Sequence, residues 1–76
     1  MKLAEITAGA QCRVQCAADE NKELQSRLYA LGVYPGVTMD VLRFAPTGDP
    51  MQVRVGGTLI SIRKQEAEHI FVEATT

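Results

Sequence analysis

Residues 51–62 read MQVRVGGTLISI, and this stretch decides the fold. Apolar and polar residues alternate before Gly56, which is the period-two pattern of a half-buried strand. The Gly56-Gly57 pair accepts the positive φ angles that a two-residue hairpin turn requires. Around that turn Val53 lies opposite Ile60, and a slip of one residue would separate the matching apolar faces. The stretch therefore predicts an antiparallel hairpin with one buried side. The same register pairs Val55 with Thr58 and Met51 with Ile62.

A single helix is predicted upstream of this hairpin. Three leucines recur at the i, i+4, i+7 spacing of one helical face: Leu24, Leu28 and Leu31. The polar residues 19–21 offer side chains that cap a helix start. Gly32 suits the left-handed position that ends a helix, with Val33 packing back on Leu28. These features predict a helix of about ten residues whose leucine face is buried.

The segment before the helix, residues 11–17, alternates in the same way as the hairpin strands. Cys12, Val14 and Cys16 fall on one face of this predicted strand. Four strand residues span about 13 Å, whereas a disulfide requires α-carbons within about 7 Å. The same separation is too large for two thiolates to share one zinc ion. Both cysteines are therefore predicted to be reduced, buried core residues.

The remaining segments complete a mostly β chain. Residues 37–44 are rich in strand formers, residues 45–50 have a loop composition, residues 63–68 suit a short helical turn, and residues 70–72 form a last strand. A thin antiparallel sheet has to hide its edges. We therefore expect one domain over residues 1–76, a small SH3-like five-stranded barrel with the helix covering one end.

Composition limits the classes of function. The chain has 76 residues, 8 basic and 9 acidic, with a formal net charge of −1. A sequence pI near 5.7 argues against a nucleic-acid partner. The sequence contains neither a run of about 20 apolar residues nor the apolar core of a signal peptide. A cytoplasmic location is expected, with the membrane reached only through a partner.

Three short segments resemble those of one protein family. They are Arg27-Leu28 with Leu31-Gly32 and Pro35-Gly36, an RL-x-x-LG-x-x-PG run; Pro46-Thr47-Gly48-Asp49-Pro50, a P-x-GDP loop; and Ile60 to Ala67, an I-S-x-RK-x-EA segment. Their order and spacing are similar to those of FeoA, the ferrous iron transport protein A family. The resemblance covers most of the chain from Arg27 to Val72.

This resemblance implies a cytosolic accessory protein of bacterial ferrous iron uptake. It implies an SH3-like barrel and a partner, the membrane transporter FeoB, whose cytosolic GTPase domain the protein would bind and regulate or assemble. Two other readings stay open: a detached SH3-like domain of a metal-dependent repressor of the diphtheria-toxin-repressor type, and a generic SH3-like adaptor. Exposed sheet edges would also allow a weak homo-oligomer.

No catalytic residue, cofactor site or metal site is predicted. His69 is the one histidine, and with Glu66 and Glu68 it makes a surface cluster too poor in ligands for a selective iron site. Gly48-Asp49-Pro50 is interpreted as a tight turn closed by Asp49 and fixed by Pro50. Arg63 is expected to pair with Asp49 or Glu66.

The best candidate for a partner interface is the outer side of the helix. Tyr29 lies away from the leucine face, and Tyr34 follows just after the helix stop. Exposed aromatic residues dominate binding hot spots. We therefore predict an interface formed by Gln25, Tyr29 and Tyr34.

Overall fold

The computed structural model describes residues 1–75. It confirms the predicted order of strand, helix, three strands, short helical turn and strand, with a 3-10 turn added at the start. The elements are the 3-10 turn Leu3–Glu5, β1 Gln11–Ala17, α1 Lys22–Ala30, β2 Thr38–Phe44, β3 Met51–Val55, β4 Thr58–Ile62, α2 Lys64–Ala67 and β5 Ile70–Ala74.

The β3–β4 hairpin has the predicted register. Val53 pairs with Ile60, and both side chains are buried. Gly56 and Gly57 have φ angles of 55° and 83°, so both central turn positions use conformations that a residue with a Cβ disfavours. The matching apolar faces of the two strands form one wall of the core. Met51–Ile62 and Val55–Thr58 are also paired as predicted.

The sheet is antiparallel throughout, with the strand order β4-β3-β2-β1-β5. Within residues 1–75 no ladder joins β5 back to β4, so the predicted closure into a barrel is not confirmed. The chain between these end strands forms α2, which contacts the 3-10 turn. Leu3 and Ala67 are completely buried there. The two short helical segments therefore contribute buried side chains to the core.

The two cysteines have different environments, and both are free thiols. Cys12 is fully buried, as predicted. The prediction that Cys16 is a core residue is wrong, because a bulge shifts the β1–β5 register between Val14 and Cys16. The bulge gives the inward position to Ala17, which is completely buried, and leaves Cys16 half-buried.

Helix α1 is capped at both ends by its own sequence. The Asn21 side chain accepts a hydrogen bond from the Leu24 N–H at 3.1 Å. At the other end Gly32 has a φ of 96°, and the Val33 N–H donates to the Leu28 carbonyl at 2.9 Å. This bond, with one from the Gly32 N–H to the Tyr29 carbonyl, forms a Schellman stop. No helix in residues 1–75 has the length and apolarity needed to cross a membrane.

The leucine face is shorter than the sequence predicted. Leu24 and Leu28 are buried, but Leu31 is 46% exposed, so the prediction that it belongs to the core is wrong. The helix ends at Ala30, and Leu31 is the C-cap. The chain then reverses through Gly32, and Val33 enters the core in place of Leu31 with no exposed surface.

Candidate partner interface

Three large apolar side chains lie exposed together at the C-terminal end of α1: Tyr29, Leu31 and Tyr34. We call them the aromatic patch; their exposed fractions are 41%, 46% and 47%. The Tyr29 and Tyr34 rings meet edge to face, with centroids 6.3 Å apart and planes inclined by 70°. That geometry is favourable for two aromatic quadrupoles. The two predicted tyrosines are therefore brought together by the structure.

The Schellman stop explains why the patch forms. Gly32 reverses the chain in the left-handed conformation, which returns Tyr34 to the side of the helix that carries Tyr29. The bond from the Val33 N–H to the Leu28 carbonyl fixes this reversal to the core. The patch is thus an apolar surface on a rigid support, with phenol hydroxyls that can donate or accept hydrogen bonds. Such a surface can bind a partner at low conformational cost.

Gln25, the third predicted interface residue, lies one helical turn before Tyr29 and is half-buried. Its Nε2 donates to the Ala17 carbonyl at 3.2 Å and to Asp19 Oδ1 at 3.1 Å. The amide therefore ties α1 to the segment that enters it. Leu31 is the patch member that the sequence reasoning missed. The adjacent Gly32 was the available signal, because a residue just before a helix-stopping glycine lies at the end of the helical repeat.

Residues of the P-x-GDP loop and of the I-S-x-RK-x-EA segment form hydrogen bonds and an ion pair around α2. Asp49 Oδ1 accepts from the Lys64 N–H at 2.9 Å. Glu66 Oε1 accepts from the Arg63 N–H at 3.0 Å. The other Glu66 oxygen pairs with the Arg27 guanidinium. We call these five residues the α2 junction. It joins all three motif segments and satisfies N–H groups at the start of α2.

Two predictions about these residues are wrong. Asp49 does not close its own turn with its carboxylate: the turn is held by the Gly48 N–H on the Ala45 carbonyl and by Thr47 Oγ1 on the Asp49 carbonyl. The carboxylate reaches α2 instead. The expected pairing of the Arg63 side chain with Asp49 or Glu66 is also not found within residues 1–75. Those carboxylates accept from backbone N–H groups and from Arg27.

The acidic neighbours of His69 are engaged elsewhere. Glu68 pairs with Lys2 Nζ at 3.2 Å, and Glu66 belongs to the α2 junction. Across residues 1–75, no group of three or more His, Cys, Asp or Glu side chains is placed to hold a metal ion. Burial, and secondarily the Asp40 carboxylate, raises the pKa of the Cys12 thiol. Cys12 is therefore kept protonated and is a poor ligand and nucleophile.

Comparison with known proteins places this geometry in one family. The FeoA domain family matches residues 1–74. The FeoA protein from Chlorobium tepidum, solved by NMR, is 42% identical to this chain, with a TM-score of 0.90. The match covers 100% of this chain and 71% of the Chlorobium tepidum chain. Stenotrophomonas maltophilia FeoA is 29% identical over 96% of this chain and 89% of its own, with a TM-score of 0.83. It was solved with zinc and described as a prokaryotic SH3 domain protein and a candidate activating factor for ferrous iron transport.

The same fold occurs as part of a longer protein. The IdeR protein of T. acidophilum matches 97% of this chain with a TM-score of 0.84, but over only 33% of its own length and at 20% identity. That likeness concerns the fold alone. The family match over residues 1–74 and the Chlorobium tepidum protein go further, because they include the sequence. This chain has an SH3-like fold and belongs to the FeoA family, which is linked to ferrous iron transport.

Proposed function

We propose that this protein is a cytosolic accessory protein of bacterial ferrous iron uptake. It acts as a one-domain binding module rather than an enzyme. Its aromatic patch docks on the cytosolic GTPase part of a FeoB-type membrane transporter, which it regulates or assembles. Family membership supports the link to iron uptake. The observation that carries the docking surface is the exposed Tyr29–Tyr34 pair beside Leu31.

The patch has the chemistry of a binding hot spot. Tyrosine offers a large, rigid contact area with a polar tip, and burying it costs little side-chain entropy. The two rings already contact each other before binding. A partner therefore has to order few side chains to bury them. The α2 junction offers no comparable surface, because its carboxylates already have partners inside the protein.

Binding to the purified cytosolic domain of the FeoB-type transporter from the same organism tests the proposal. Calorimetry is carried out with the wild type, Tyr29→Ala and Tyr29→Phe. We expect Tyr29→Ala to weaken binding by about 1–2 kcal/mol, which is roughly 5- to 30-fold in Kd. Tyr29→Phe keeps the ring and should lose less.

Phe71→Ala is the matched control. Phe71 is an aromatic residue with 40% exposure, against 41% for Tyr29, but it lies on β5, outside the aromatic patch. We expect this variant to bind like the wild type. If Phe71→Ala lost as much affinity as Tyr29→Ala, the partner would bind a surface other than the aromatic patch. Failure of the wild type to bind with either guanine nucleotide state of the domain would overturn the proposed partner.

The alternative of a detached repressor domain gains no support beyond the fold. The IdeR match is at 20% identity and spans a third of that protein. The formal net charge of −1 also gives the chain no excess of positive charge for a nucleic-acid backbone. The transporter-linked reading therefore stands as the proposal.

A further inference from the structure

The two end strands of the sheet differ in what lies along their outer edges. The outer edge of β5 is covered by the first residues of the chain. The Val72 N–H donates to the Met1 carbonyl at 2.7 Å, the Met1 amino group donates to the Val72 carbonyl at 3.1 Å, and Lys2 bridges to Phe71. Within residues 1–75, β4 pairs with β3 alone. One edge of the sheet is therefore covered and the other is free.

The turn geometry identifies which backbone groups of β4 face outward. In a two-residue hairpin, the residues that flank the turn are hydrogen bonded to each other, which here are Val55 and Thr58. Bonded and non-bonded pairs then alternate along an antiparallel ladder. Val53–Ile60 is bonded, so the N–H and C=O groups of Leu59 and Ser61 point away from β3. These groups form the free edge.

This edge lacks the features that usually prevent strand pairing. Edge strands are commonly protected by charged side chains, proline or a bulge. The β4 sequence, Thr-Leu-Ile-Ser-Ile, has neither charge nor proline, and the β3–β4 register runs without a shift. Leu59 is 57% exposed, the largest exposed fraction among the large apolar strand residues of the protein's described part. The edge is thus open, apolar and regular.

We propose that β4 is a self-association site, at which a second copy of this chain adds its own β4 antiparallel about a two-fold axis at Ile60. In this register Leu59 of each copy lies opposite Ser61 of the other, and Ile60 faces Ile60. Each Leu59–Ser61 pair can exchange both of its backbone hydrogen bonds, since these are the groups that face outward. One sheet then runs continuously through both copies.

Side-chain charge is compatible with this pairing. On the outer face of the sheet, Arg54 of β3 and Leu59 of β4 lie side by side in the first copy. The same row continues across the interface with Ser61 of β4 and Gln52 of β3 in the second copy. Like charges opposite each other would destabilise strand pairing, and this row brings none together. The exposed Leu59 side chain is covered by the added strand. The strand is therefore self-complementary in hydrogen bonding, apolar contact and charge.

The coverage of β5 limits the assembly to a closed dimer. Head-to-tail addition of β4 to β5 would produce an open chain of molecules. Met1 already occupies the Val72 groups that such a contact needs. Pairing of β4 with β4 uses the free edge of both copies and leaves none for a third. We therefore expect a weak, concentration-dependent dimer, since the interface is one strand wide.

Sedimentation equilibrium of the wild-type chain from micromolar to millimolar concentration tests the proposal, with amide hydrogen exchange recorded at both limits. The expected result is a monomer–dimer equilibrium in which the Leu59 and Ser61 amides become protected as the concentration rises. A monomer at millimolar concentration would overturn the proposal. So would a dimer whose newly protected amides lie elsewhere.

Ser61→Pro and Ser61→Ala form a matched pair of variants. Proline removes an N–H that points away from β3, a position that edge strands tolerate, whereas alanine keeps it. We expect Ser61→Pro to abolish the dimer and Ser61→Ala to retain it. Leu59→Lys places a charge at the free edge and should also give a monomer, so it serves if the proline variant does not fold. Dimerisation of a folded Leu59→Lys variant with wild-type affinity would overturn the proposal.

Discussion

The α2 junction and the aromatic patch both come from segments that resemble family motifs, yet they present opposite surfaces. The junction joins its residues through hydrogen bonds and an ion pair within the molecule. The patch leaves two tyrosines and a leucine exposed on a rigid support. A motif residue that identifies a family can therefore stabilise the fold instead of contacting a partner. In this protein, the surface proposed for partner binding lies between motif positions as well as on them.

The largest effect should come from the core residue that supports the aromatic patch. Leu28 is buried, and its carbonyl accepts the bond from Val33 that fixes the helix stop. Leu28→Ala should lower the free energy of unfolding by about 2–5 kcal/mol, because it leaves a cavity. Urea unfolding followed by circular dichroism measures this. A loss of only a few tenths would mean that the patch is supported in some other way.

A smaller loss is expected at the start of α2. Asp49→Ala removes the acceptor of the Lys64 N–H and should cost about 0.5–2 kcal/mol of stability, the range for lost capping bonds. Asp49→Asn keeps a side-chain oxygen and should retain most of that stability. Both are measured by the same denaturation. Affinity for the transporter domain should stay unchanged, and a loss of affinity in folded Asp49→Asn would contradict the division between the two regions.

The Arg27–Glu66 pair should contribute less still. The Arg27 side chain is 61% exposed, so solvent screens the interaction. A double-mutant cycle with Arg27→Ala and Glu66→Ala should give a coupling free energy of about 0.2–1 kcal/mol. Glu66→Ala alone should cost more than Arg27→Ala, since it also removes the acceptor of the Arg63 N–H. Equal single losses would mean that this second bond contributes nothing.

The smallest effect on stability is expected in the aromatic patch. Tyr29 and Tyr34 are both more than two-fifths exposed. Tyr29→Ala removes the edge-to-face contact with Tyr34 and should lower the free energy of unfolding by about 0.5 kcal/mol, the low end for such a pair because both rings are partly solvated, even though it weakens partner binding. Thermal melts beside the Leu28→Ala variant check the contrast. Comparable damage in the two variants would show that Tyr29 belongs to the core.

The sequence predicted those elements whose geometry is set by near neighbours. The β3–β4 register followed from two glycines and matched faces, and α1 followed from its cap and stop residues. The errors arose where geometry departs from a regular repeat. A bulge without a glycine to mark it displaced Cys16, and the C-cap position exposed Leu31.

The partners of the charged residues were set by tertiary contacts that no local pattern reveals. The fold brings Arg27 of α1 against Glu66, and it brings the loop at Asp49 against Lys64. Whether the two end strands pair with each other is also a tertiary question, and in residues 1–75 no ladder joins β5 to β4. The predicted tyrosines could be found because helical spacing alone separates them from the leucine face. Their mutual contact could not, because it depends on the direction of the chain after Gly32.

The pairing of β1 with β5 has a consequence for how the protein is made. Cys12 of β1 is opposite Ala74, and Ala17 is opposite Ile70. The ladder on this side of β1, the first strand in the sequence, therefore cannot form before β5, the last strand, is present. A ribosome releases these strands in order, and β1 keeps one side open until residue 74 has left the exit tunnel. Pairing across such sequence separation slows folding, and open strand edges expose nascent chains to aggregation. The native sheet is therefore completed only after synthesis has passed β5.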